Sequence, residues 1–202
     1  MTETLNLAFA LAWLLAVPSA HGQEPGPDVL LKAVSEEVIA EIRKDKAMQA
    51  GDGAKIATLV EKKIVPHFDF RRITQFAVGR GWRSATPEQQ DRLTDEFKTL
   101  LVRTYSGALA GYRDHAIEFR PLRAASSDTE VTVRSVLRQA GAPPIAIEYD
   151  VAKTGGGRWL VYDVRIDGIS LVATYRSAFA EEFANRGVDG LISLLARKNR
   201  QT

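Results

Sequence analysis

Cysteine is absent from the 202 residues. No disulfide framework and no thiol nucleophile are available, so the fold has to rest on its core. Histidine is scarce. His21, His67 and His115 lie far apart, and none stands at metal-ligand spacing to another histidine or a carboxylate. No G-x-x-x-x-G-K-[ST] occurs, so the chain has no P-loop and no ATP chemistry of its own. No G-x-S-x-G elbow is present either. Gly79-Arg80-Gly81 follows no strand and lacks a third spaced glycine, which rules it out as a dinucleotide loop. Charge of one sign is also lacking: the net charge is +2, with Lys and Arg scattered along the chain, a poor match to nucleic acid.

What the chain does have is apolar surface. Hydrophobic residues make up 45% and charged residues 26%, the balance of a globular chain long enough for one well-cored domain. The first residues differ from the rest. Leu5 to Val17 (LNLAFALAWLLAV) is apolar except for Asn6, and the small residues of VPSAHG follow. A run this short reads as a signal-peptide core rather than a bilayer span, although MTET before it carries Glu3 and no basic side chain. The expected division is a cleaved export signal over 1–22, cut after Ser19, Ala20 or Gly22, and a single domain over 23–202.

Gln23 to Asp28 (QEPGPD) is a linker, and Asp28 is placed to cap a helix running to about Met48. Gly51-Asp52-Gly53 breaks the chain before a second helix, Ala54 to Val65, which Pro66 ends. Phe68 to Val78 reads as a short third helix stopped by Gly79. The clearest helix start is ATPEQQ: Thr86 as N-cap, Pro87 in the first position, Gln89 closing a capping box. That helix is expected to reach about Tyr112, with Leu93, Phe97, Leu100 and Leu101 on one face. The period then changes to two. Ile117 and Phe119, then Val131 to Leu137, Ile145 to Val151 and Leu160 to Ile166 alternate with polar neighbours, and Gly155-Gly156-Gly157 marks a hairpin tip. Ser170 to about Asn185 and Val188 to about Lys198 are closing helices separated by Gly187. The expected fold is α+β: a curved antiparallel four-stranded sheet with helices packed on one face.

Candidate chemistry is thin. Asp163 and Asp167 flank an apolar strand. In an enzyme reading of the ketosteroid-isomerase type, Asp163 would be a base and Tyr162 a hydrogen-bond donor, but neighbours on a strand point to opposite faces. A third reading is an adaptor with a filled interior that binds partners only by its surface.

Two stretches carry a family resemblance. GRGWRSATPEQQDRLTDEFKTLLVRTYSGALAGY (Gly79 to Tyr112) is similar to a pattern of Trp-Arg, Ala-Thr-Pro-Glu-Gln and a Phe/Leu-rich helix ending in Thr-Tyr. YDVRIDGISLVATYRSAF (Tyr162 to Phe179) followed by GVDGLISLL (Gly187 to Leu195) resembles the strand, Gly-Ile-Ser-Leu turn and Tyr-Arg helix of the same family. That family is MlaC, the toluene-tolerance or ABC-transporter auxiliary proteins. The resemblance runs from about Asp28 to the C-terminus, with Thr174 where many relatives carry Asn. It implies a periplasmic phospholipid carrier, not an enzyme, with no cofactor and bound phospholipid as cargo. It further implies a nuclear-transport-factor-like cone enclosing an apolar cavity. The implied partners are an inner-membrane ABC transporter complex and an outer-membrane lipoprotein/porin complex, between which lipid is shuttled to maintain outer-membrane asymmetry. On this reading the tails lie against Phe97, Leu101 and Tyr105 on the long helix. On the sheet they meet Val133, Ile147, Tyr149, Tyr162, Val164 and Ile166, and on the closing helix Val172, Tyr175 and Phe179. Arg71, Arg72, Arg80, Arg83, Arg165 and Arg176 are candidates for a phosphate contact or a docking patch.

Overall fold

The computed structural model describes residues 25–109, 111, 116–125, 127–138 and 141–201. The expected export signal, His21, Tyr112 and His115 lie outside them.

Helix starts follow local capping chemistry. α1 (Pro27–Lys44) opens with Pro27 in its first turn, where the missing N–H is no loss. Gly26, not Asp28, holds the N-cap position, and the Asp28 carboxylate instead accepts from the Leu122 amide at 3.4 Å. Along α1, Leu31, Val38 and Ile42 are buried, whereas Val29 and Ala33 are exposed. α2 (Lys46–Gln49) is capped by Asp45, α3 (Gly53–Lys63) by Asp52 and α4 (Phe70–Val78) by Asp69. Pro66 falls in a 3₁₀ turn, Val65–His67. Gly79 ends α4 at φ 63°, a conformation that favours glycine, and a second 3₁₀ turn, Gly79–Ser84, follows.

α5 (Pro87–Leu109) begins with the expected box: the Thr86 amide donates to Gln89 Oε1 at 3.0 Å and the Gln89 amide to Thr86 Oγ1 at 3.2 Å. α6 (Leu171–Gln201) breaks at Gly187, whose φ 66° and ψ −165° are not helical, so the two expected closing helices are the two arms of one kinked element.

The sheet has five strands, not four, in the order β1 (Ala116–Phe119), β2 (Glu130–Arg138), β3 (Ile145–Lys153), β4 (Trp159–Ile166) and β5 (Ile169–Ser170), each antiparallel to its neighbour. β5 is too short to show alternation. Asp167 (φ 48°) and Gly168 (φ 81°) turn the chain in two residues and pair Ile169 with Ile166.

The second departure from the expected sheet is a bulge. Asp150 pairs with Asp163, but the next residue, Val151, pairs with Val161, leaving Tyr162 as an extra residue on β4. Strand alternation therefore flips at Tyr162. Val161 and Trp159 join Val164 on the inner face, packed with Val133, Val151, Tyr149 and Leu31 of α1.

The outer face is polar. Arg134 Nε bonds Glu148 at 2.8 Å, Arg165 Nε bonds the other Glu148 oxygen at 2.9 Å, and Arg165 also pairs with Asp150, which accepts from Thr132 at 2.8 Å. Those guanidinium bonds hold the Glu148 carboxyl below its ordinary pKa.

The main core lies between α4, α5 and both arms of α6. Ile73, Ala77, Trp82, Leu93, Phe97, Leu100, Phe179, Leu191 and Leu195 are buried there. Gly81 is part of its seam, since a Cβ there would sit 2.8 Å from the Phe183 ring. Among the described residues, no helix is long and apolar enough to cross a membrane.

Candidate functional site

A second interior region is hollow. A cavity of about 300 Å³ lies between α1, α3, α5 and the inner face of the sheet. α1 contributes Leu31, Val34, Ser35, Val38, Ile39 and Ile42. The α3 end contributes Val60, Ile64 and Val65, and the approach to α4 contributes Phe68, Phe70 and Ile73. α5 contributes Leu101, Val102, Tyr105, Ser106, Ala108 and Leu109, and the sheet contributes Ile117, Leu137, Ile147, Tyr149, Val164 and Ile166. Leu171, the first residue of α6, completes the wall.

No Asp, Glu, Lys, Arg or His is among these lining residues. The two serines are committed to their own helices: Ser35 Oγ donates to the Leu31 carbonyl at 2.8 Å and Ser106 Oγ to the Val102 carbonyl at 2.5 Å. The described lining can thus shelter hydrocarbon. Tyr105 and Ile166 line it and are also 41% and 44% exposed, which puts its mouth between the end of α5 and the β4–β5 hairpin.

The structure divides the residues proposed from sequence. Leu101, Tyr105, Ile147, Tyr149, Val164 and Ile166 come together on the cavity wall. Phe97, Val172, Tyr175 and Phe179 do not; they belong to the solid helical core, where the Phe97 ring meets Tyr175 at 4.9 Å and Phe179 at 5.0 Å. Val133 is 1% exposed and filled against Leu31, Val151 and Val161.

Tyr162 faces away from the hollow because of the bulge. Its ring packs edge-on to Phe76 at 5.9 Å, the Arg72 guanidinium lies 3.8 Å from its centre, and its hydroxyl donates to Glu130 at 3.3 Å. Asp163 does not join it in an acid–base pair. Its carboxylate accepts from Ser170 Oγ at 2.5 Å and from the Val172 amide at 3.2 Å, tying down the start of α6. The adaptor reading needed a filled interior, which the cavity replaces.

None of the six candidate arginines lines the hollow. Arg165 sits in the outer ladder and Arg72 pairs with Glu130 at 2.7 Å. Arg71 bonds Asp91 and Gln90, each at 2.6 Å, and Arg176 bonds the Phe76 carbonyl at 3.1 Å, while Arg80 and Arg83 are exposed. Thr174 donates to the Ser170 carbonyl at 2.9 Å, a bond within its own helix.

A wider groove of about 800 Å³ runs along β1, β2 and the segment between them, but Glu118, Asp128, Glu130, Arg134 and Arg138 line it, and charges of that density do not suit hydrocarbon.

Sequence reasoning missed the α1 wall. The signal was present: Leu31, Val34, Val38 and Ile42 recur at helical spacing, but such a stripe is equally the signature of plain core.

Fold and site define an α+β protein with a largely apolar hollow between a sheet and three helices. The MlaC protein family matches residues 32–197, and the chain belongs to that family. It is 21% identical over 197 residues to the intermembrane phospholipid transport system binding protein MlaC of Haemophilus influenzae, covering 96% of this chain and 92% of the relative. It is 24% identical over 180 residues to the toluene tolerance protein ttg2D of Pseudomonas putida, covering 89% and 83%. Among solved structures, a phospholipid-binding protein from Ralstonia solanacearum in complex with a phospholipid superposes with a TM-score of 0.80 at 43% identity, covering 88% of this chain and 98% of that one.

Proposed function

We propose that this protein carries phospholipid through the periplasm, its tails held in the hollow and its head group at the mouth. The cavity, with no Asp, Glu, Lys, Arg or His among its described lining residues, carries this reading, and the phospholipid held by the Ralstonia relative supports it.

The energetics suit a shuttle. Two acyl chains hold about thirty methylenes, worth roughly 24 kcal/mol on leaving water. That exceeds the strongest non-covalent binding, about 21 kcal/mol, so lipid does not cross water unshielded. Lipid in a bilayer is already shielded, and exchange between bilayer and cavity is close to balanced. The chain has no nucleotide loop to drive such exchange, so direction comes from a partner. The partners in this reading are an inner-membrane ABC transporter complex and an outer-membrane lipoprotein/porin complex, with outer-membrane asymmetry as the outcome. Residues 1–22 are the export signal, and sheet and helices form a cone of the nuclear-transport-factor type.

Organic extraction of the purified protein followed by mass spectrometry tests the reading. Stoichiometric diacyl phospholipid is expected. Protein that stays lipid-free after incubation with phospholipid vesicles would overturn it.

A further inference from the structure

The apolar surface of the hollow continues past its rim. Among the described residues, the exposed large apolar side chains are Val29, Tyr105, Ile166 and Ile169, and Ile169 is the most exposed at 69%. Ile169 pairs with Ile166 across the β4–β5 turn. Residues directly opposite in an antiparallel pair put their side chains on the same face. Ile166 both lines the hollow and opens to solvent, so an apolar strip runs from the wall over the rim to the hairpin tip.

The tip is held in this shape from both sides. Asp167 and Gly168, at φ 48° and 81°, make a tight two-residue turn. The Asp167 amide donates to the Ala146 carbonyl at 2.9 Å, and the Asp167 carboxylate accepts from the Ala146 amide at 3.0 Å, which ties the turn to the start of β3. Beyond the turn, Ser170 Oγ and the Val172 amide are anchored on the Asp163 carboxylate at 2.5 Å and 3.2 Å. Exposed apolar residues scattered singly are ordinary on a protein surface. A clamped pair at the rim of a hydrocarbon-lined hollow is placed to meet something apolar.

We infer that the β4–β5 tip is the surface by which the carrier touches a lipid bilayer, Ile169 entering the boundary between head groups and acyl chains beside the mouth. The occupant is a bilayer rather than a protein on two grounds. A stable protein interface covers about 800 Å² on each side around an apolar core, far more than a two-residue turn presents, whereas shallow entry into a bilayer needs only a small apolar protrusion. The strip also runs on into the hollow, so a tail leaving the bilayer passes along apolar side chains instead of through water. This inference rests on the carrier reading above.

The chain has no cysteine, so Ile169→Cys gives one attachment point for an environment-sensitive fluorophore. Val29→Cys is the control: Val29 is also exposed, but its neighbour Asp28 bonds Leu122 just beyond β1, at the sheet edge opposite β5. On addition of protein-free vesicles of phosphatidylethanolamine and phosphatidylglycerol, the Ile169 label is expected to shift to the blue and the Val29 label to stay unchanged. Taking an isoleucine that is 69% exposed out of water corresponds to about five- to thirtyfold in contact strength. Ile169→Ser is therefore expected to slow lipid exchange with the vesicles by that factor, and Ile169→Leu to keep the rate. Ile169 is not among the residues lining the hollow, so both variants are expected to yield equal lipid on extraction. No shift at Ile169, an equal shift at Val29, or an unchanged exchange rate in Ile169→Ser overturns the inference while leaving the carrier reading intact. A shift that requires a membrane protein in the vesicles assigns the tip to a protein partner and also overturns it. Unmodified protein that yields no lipid on extraction, both as purified and after incubation with vesicles, sinks both readings.

Discussion

Two regions of this interior are built from the same kind of sequence and end up opposite in character. Between α4, α5 and α6 the apolar stripes close: Phe97, Tyr175 and Phe179 interlock edge to face, and Phe97 and Phe179 are 0% and 2% exposed. Between α1, α3, α5 and the sheet, stripes of Val, Ile and Leu stop short of one another and leave about 300 Å³ unfilled. Helix α5 serves both. Phe97 and Leu100 face the solid side, Val102 and Tyr105 face the hollow, and Leu101 is the shared wall. On one side of the helix the rings of Phe97, Tyr175 and Phe179 meet; on the other, aliphatic side chains and the rings of Phe68, Phe70, Tyr105 and Tyr149 surround open space. Hydrophobic patterning says which faces avoid water. It does not say whether the faces touch.

Substitution separates the two regions. The largest expected effect is on the solid side: Phe97→Ala removes the ring at the centre of the aromatic cluster and should cost about 3–5 kcal/mol, a fall in melting temperature of roughly 10 °C or more in a thermal scan. A pair of tryptophan substitutions sharpens the contrast. Val172→Trp places an indole in close-packed surroundings and should destabilise by about 1–3 kcal/mol through overpacking. Val164→Trp points the same indole into the hollow, so it should cost less stability than Val172→Trp yet cut the lipid recovered by extraction severalfold. If both lower stability alike and leave lipid content alike, the two regions are not physically distinct. The smallest effect is expected at Ser135, which is 2% exposed with a hydroxyl that has no hydrogen-bond partner among the described residues. Ser135→Ala should be neutral or stabilising by up to about 1 kcal/mol in denaturant unfolding, because no bond is lost and a desolvated polar group is removed.

Half of the proposed cavity wall was legible, and the reason lies in strand and helix geometry. Ile147, Tyr149, Val164 and Ile166 alternate on unbroken stretches of strand, so period two puts them on one face, the face that lines the hollow. Tyr162 fits the same alternation on paper, but the unpaired residue in β4 turns it to the outer face, where Arg72 and Phe76 cover it. The closing helix failed differently. Val172, Tyr175 and Phe179 do face the interior, but the part of it that is filled.

What the chain determined by itself is what neighbouring residues settle among themselves. Thr86, Pro87 and Gln89 fix the start of α5 within one turn, Gly187 fixes the break in α6, and the glycine run before Arg158 fixes a hairpin. Each is a contest between backbone conformations a few residues long, decided by capping bonds and allowed φ angles. The bulge at Tyr162, the two-residue strand β5 and the hollow were decided only in three dimensions. A void is a difference between the positions of whole elements, set by how far a curved sheet and its covering helices can approach before other contacts stop them, and no spacing along the chain records that distance.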